Sequence, residues 1–217
     1  MDPTAPADRS AALALVLASI AGLTAMAFHP SGQDVLRSAE AGTSNFSTAA
    51  VHSLAIAAQL LVLAGTLALT LRLRARRDLS VAAYIVFAVA SFAVIVAGLA
   101  SGFLAPSVLR GYAQADEATR GVMLNALHFT GRINRTFAQA GTTLGGVAIL
   151  LWSLAMILGK EMSRSLALFG ALLGTALALG MVTGYWQVNL MGFGMVVLAQ
   201  GTWFVWVAVR LWRTAHA

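Results

Sequence analysis

The chain has 217 residues, 59% of them hydrophobic and only 10% charged, with a mean hydropathy of +0.80. A soluble domain carries about 25% charged residues, so this composition excludes an ordinary water-soluble fold and points to an all-α integral membrane protein. The chain has no cysteine, which excludes disulfides, iron–sulfur clusters and thiol catalysis.

Met1 to Ser10 is short and polar, and Ala11 to Phe28 is an unbroken apolar run closed by His29 and Pro30. Ala25-Met26-Ala27 resembles a signal-peptidase site. Asp2 and Asp8 precede the run, however, and the run is longer than a usual signal core, so it reads as a retained first span. Ser31 to Thr48 is a polar loop. Span two covers Ala49 to Leu71, with His52 near its start and Gln59 further in, and the cluster Arg72, Arg74, Arg76 and Arg77 follows. Span three covers Val81 to Leu104 and is expected to stop at Ala105-Pro106, since proline removes a helical hydrogen bond. Ser107 to Arg120 is polar. Span four covers residues 137–158, span five Leu166 to Tyr185 and span six Leu190 to Val209. About 20 residues suffice to cross a bilayer, so the expectation is one membrane domain over 1–217, a six-transmembrane-helix bundle. His216 lies close to the C-terminus.

Arginine and lysine set the orientation. With the N-terminus inside, nine basic residues fall on inner segments and five on outer ones. Both termini are therefore expected in the cytoplasm, and the bacterial inner membrane is the expected location. The net charge of +6 is then a topology signal that also attracts anionic membrane lipids, and no nucleic-acid partner is expected.

Residues 121–136 form a polar-striped extension of span four. Asn125, His128, Arg132, Arg135 and Gln139 are spaced by three, four, three and four, so on a helix they share one face. Either the arginines meet lipid phosphate above the bilayer, or the stripe lines an outward-open pocket for a small anionic ligand.

The histidines carry the chemical expectation. His29, His52 and His128 all fall at the outer ends of their segments. Imidazoles from three helices converging there would bind a metal. One form is haem b held by His52 and His128, with Arg132 and Arg135 on its propionates. Another is copper(I), helped by Met26 three residues before His29. Electron transfer is a role either would allow. The alternatives are a non-catalytic subunit docking an external partner through the striped helix, and an enzyme acting on a lipid or quinone head group with a histidine base.

Several classes are disfavoured. No Asp or Glu falls in the apolar core of a span, which argues against a proton-coupled carrier. No half of the chain visibly repeats the other. There is no His-Glu-x-x-His motif, Gly-rich phosphate loop or nucleophile elbow.

Small residues four apart let helices approach closely in lipid. The pairs Gly98/Gly102, Gly141/Gly145, Gly170/Gly174 and Gly180/Gly184 therefore place the tight packing among spans three, four and five, with homo-dimerisation as a lesser use. Trp203, Trp206 and Trp212 read as an interfacial aromatic belt.

Overall fold

A chain this apolar must satisfy its backbone polar groups internally, and each span does so as a helix. The computed structural model describes residues 5–43, 45–187 and 189–214. His216 lies outside the described residues, as does the very start of the chain. The helices are α1 (Ala5–Ala27), α2 (Gly32–Glu40), α3 (Phe46–Arg72), α4 (Arg77–Leu99), the short α5 (Ala105–Val108), α6 (Glu117–Gly159), α7 (Arg164–Val182) and α8 (Leu190–Thr214). Among the described residues there is no strand. Among the described residues, six helical segments are long and apolar enough to cross a membrane. Leucine, isoleucine and phenylalanine side chains such as Leu60, Ile85, Phe92 and Leu172 point outward from the bundle, as a lipid-facing surface requires.

Local sequence explains the ends. Ser31 and Asp34 form a reciprocal capping box at the start of α2. Asp116 caps α6 through the Thr119 N–H, and Ser163 caps α7 through the Leu166 N–H. Lys160 ends α6 in the left-handed conformation, at φ 59°.

Span three does not stop at Pro106. A π-turn, Ala100–Leu104, follows α4 directly, and the Ala105 N–H donates to the Ala100 carbonyl five residues back. The widened turn admits a proline ring that would clash in a regular α-helix, so the helical path continues into α5.

The striped segment and span four form one helix. At 1.5 Å per residue, the 43 residues of α6 extend about 65 Å, roughly twice a hydrocarbon core of about 30 Å. Beyond the bundle, Met123, Leu124 and Leu127 pack on a small cap made by Val35 and Ala39 of α2 with Leu109 and Tyr112.

The spanning helices form a ring, with α1 against α3 and α8, α3 against α4, and α6 between α4 and α7. Glycine permits the closest approaches. A Cβ on Gly141 would overlap Val94 and the Ala90 carbonyl of α4, and one on Gly146 or Gly174 would overlap the backbone of the facing helix. The expected tight contact among spans three, four and five is present, with Gly146 rather than Gly145 facing α7. Gly184, at φ 72°, closes the C-terminus of α7 instead of packing a helix.

Large aromatic side chains fill the middle of the ring. Trp152 of α6 stacks on Trp203 of α8 at 6.0 Å, and Phe87 of α4 contacts both Trp152 and Phe204. The Trp152 indole donates to the Thr70 hydroxyl at 3.0 Å. Trp203 is fully buried, so it belongs to this core and not to an interfacial belt; Trp212 is 47% exposed.

The end carrying the basic cluster is tied by charge. Asp8 lies within α1, is 4% exposed, and pairs with Arg72 of α3. It is an acidic residue inside a helix and not in a polar tail, and the guanidinium makes its burial tolerable. Glu161 accepts the backbone N–H groups of Arg74 and Ala75, joining the α6–α7 and α3–α4 connections.

Candidate functional site

The ends opposite the basic cluster carry the polar residues of interest. His29 lies two residues past the end of α1, and His52 lies in the second turn of α3. Their rings meet edge to face, with centroids 4.8 Å apart and an interplanar angle of 63°. His52 is 3% exposed. Its Nδ1 lies 2.8 Å from the Thr48 carbonyl, four residues back on α3. A carbonyl only accepts, so the neutral ring carries its proton on Nδ1 and its lone pair on Nε2.

That Nε2 atom is buried without a protein partner, and so is Nδ1 of His29. Burial, and next the adjacent His52 ring, lower the His29 pKa below the ordinary imidazole value, against a smaller upward push from the Pro30 backbone. His29 is therefore neutral at pH 7. Two imidazoles, one just past α1 and one within α3, meet in one corner, each with a buried ring nitrogen that has no protein partner.

The π-turn supplies the wall of that corner. A Cβ on Gly102 would overlap Cβ and Cγ of His52, so the turn packs its backbone directly on the imidazole. Neither Gly102 as a wall nor the Thr48 carbonyl as an orienting acceptor was singled out from sequence. The i−4 spacing of Thr48 and the Gly98-x-x-x-Gly102 pair were the available signals.

The other expected site residues go elsewhere. His128, Asn125 and Arg132 are exposed on α6, and His128 makes no ring contact with His29 or His52. Periodicity gives the reason. The apolar positions Met123, Leu124 and Leu127 turn toward the cap and the buried Thr130, Ala138 and Gly141 turn toward the bundle, leaving Asn125, His128 and Arg132 on an exposed face. Among the described residues, no group of three His, Asp or Glu side chains gathers as a metal cage. The Met26 methyl reaches toward Gly194 of α8. Gln139 donates to the Met181 carbonyl at 3.1 Å, and with Arg135 it borders an open cavity of about 300 Å³ beside Trp186, Gln187 and Asn189. Neither His29 nor His52 lines the cavity that Arg135 borders.

Fold and site together define a class: a polytopic helical membrane protein with two imidazoles in contact at one end of its bundle. Compared with protein-family models, curated proteins and solved structures, the chain matches none.

Proposed function

We propose that this is an inner-membrane protein with both termini cytoplasmic, whose outward end binds a soft monovalent metal ion, copper(I), through His29 and His52. One observation carries the reading. Nδ1 of His29 and Nε2 of His52 are both buried and unpartnered at a ring contact of 4.8 Å. An unsatisfied buried acceptor costs about 1–3 kcal/mol, and an ion taking both lone pairs would offset that. The donor set is neutral, which favours a monovalent ion over a hard divalent one. The Thr48 carbonyl fixes the His52 tautomer as a metal ligand requires. Rings in direct contact leave no room for a porphyrin between them, and an exposed His128 gives haem less support than a bare ion.

The test is anaerobic titration of purified protein with copper(I) against a chromophoric copper(I) chelator. The expected result is one ion retained per chain, lost in His52→Ala and kept in His128→Ala. A protein that never competes with the chelator sinks the reading.

A second reading rests on the stripe. Arg132 and the 64%-exposed Phe129 stand uncovered on the projecting part of α6, as a docking helix for an external partner would present them. Arg132→Glu should then dissociate a co-purified complex without altering copper binding. Protein that runs alone from mild detergent extracts removes this reading.

A further inference from the structure

Hydroxyl side chains inside membrane helices ordinarily satisfy themselves by donating to the carbonyl four residues back. Thr66, Thr130, Thr143, Thr183 and Thr202 all do so here. Ser91 of α4 and Thr142 of α6 do not. They are 1% and 2% exposed, and their hydroxyl oxygens have no protein partner.

Both line one small, partly open cavity of about 40 Å³ between α3, α4, α6 and α8. Gln59 of α3 and Gln200 of α8 also border it. Four neutral polar side chains from four helices thus face a common space, which Phe87 and Phe204 close on the side of the aromatic core.

The chemistry narrows the occupant. Amides and hydroxyls both donate and accept, so the occupant must also do both. None of the lining residues is charged, and an uncompensated ion at this depth would cost several kcal/mol. One water needs about 10–15 Å³ of such space and two to four polar partners, so the volume fits a few waters. We propose that this cavity is a binding site for a small cluster of ordered water, bridging Ser91, Thr142, Gln59 and Gln200 in the centre of the bundle. The site is independent of the copper reading, since His29 and His52 do not line it.

Radiolytic footprinting of the full-length protein in detergent tests this, because hydroxyl radicals formed from bound water label only adjacent side chains. Phe87 and Phe204 line the cavity and are each only 4% exposed. Both rings are expected to be modified at rates approaching that of exposed Phe129, and several-fold more slowly in the Ser91→Ala/Thr142→Val double variant. The double variant should also melt at a lower temperature, having lost its bridged hydroxyls. Two results overturn the proposal. One is the absence of labelling at both rings in the wild type. The other is a double variant that melts higher, the behaviour of dry hydroxyls relieved of an unmet hydrogen bond.

Discussion

Gly102 lies against His52 so closely that a single added methyl group would occupy the space of the imidazole's own Cβ and Cγ. The π-turn carrying Gly102 thus sets where the buried ring sits. Gly102→Ala is expected to displace His52 and to weaken copper(I) retention about 10–100-fold, the usual effect of disturbing a ligand's support. Gly98→Ala is the control on the same helix face, because its new methyl would meet Ile56 at an ordinary 3.5 Å. Equal affinities in the two variants would show that the π-turn does not position the ring.

A pH dependence follows from His29. Its pKa is lowered in the folded protein, first by burial. The unfolded imidazole, at about 6.5, therefore binds more protons than the folded one as pH falls. This contribution to stability is complete above about pH 6.5 and is lost as pH drops through that value toward the folded pKa. Thermal melts from pH 8 to pH 5 should show falling stability with acid, and His29→Gln should flatten part of the slope. A slope unchanged by the substitution removes His29 as its source.

Trp203 and Trp212 lie on the same helix, yet their removal should differ sharply. Trp203→Ala opens the stack on Trp152 in the filled centre of the ring and should cost about 3–5 kcal/mol. Trp212, 47% exposed, should tolerate alanine at a smaller cost than Trp203. Equilibrium unfolding in mixed micelles distinguishes them.

Asp8 and Arg72 form the buried ion pair between α1 and α3. Breaking such a pair costs about 3–5 kcal/mol when fully buried. The cost here should be smaller, because the Arg72 side chain is 27% exposed. Asp8→Asn should therefore destabilise moderately, and the exchange Asp8→Arg/Arg72→Asp should recover part of the loss. A double-mutant cycle with no coupling would show that the two charges act separately.

The α6–α7 contact gives a steric prediction. Methyl groups on Gly146 and Gly174 would strike backbone atoms, which cannot rotate away. Gly146→Ala and Gly174→Ala should each cost about 1–3 kcal/mol by overpacking. Melting temperatures at or above wild type would show that the two helices separate easily.

The spans were legible because hydropathy is a local property. Six apolar runs marked six helices, with edges displaced by a few residues, and the stripe of α6 was correctly read as sharing one face. Span three was misread at its end, because a proline signals a break while its accommodation depends on a π-turn several residues earlier. Asp8 was taken for part of a polar tail, since its partner Arg72 lies far away in sequence.

By itself the sequence determined the class of the protein, the number of membrane-spanning helices and which residues lie along each face. Only the tertiary structure decided which faces meet. Helix rotation is set by where small and apolar side chains let neighbours approach, and those neighbours are distant in the chain. That is why His52 found His29 beneath Gly102, while His128, on an exposed face of α6, turned outward.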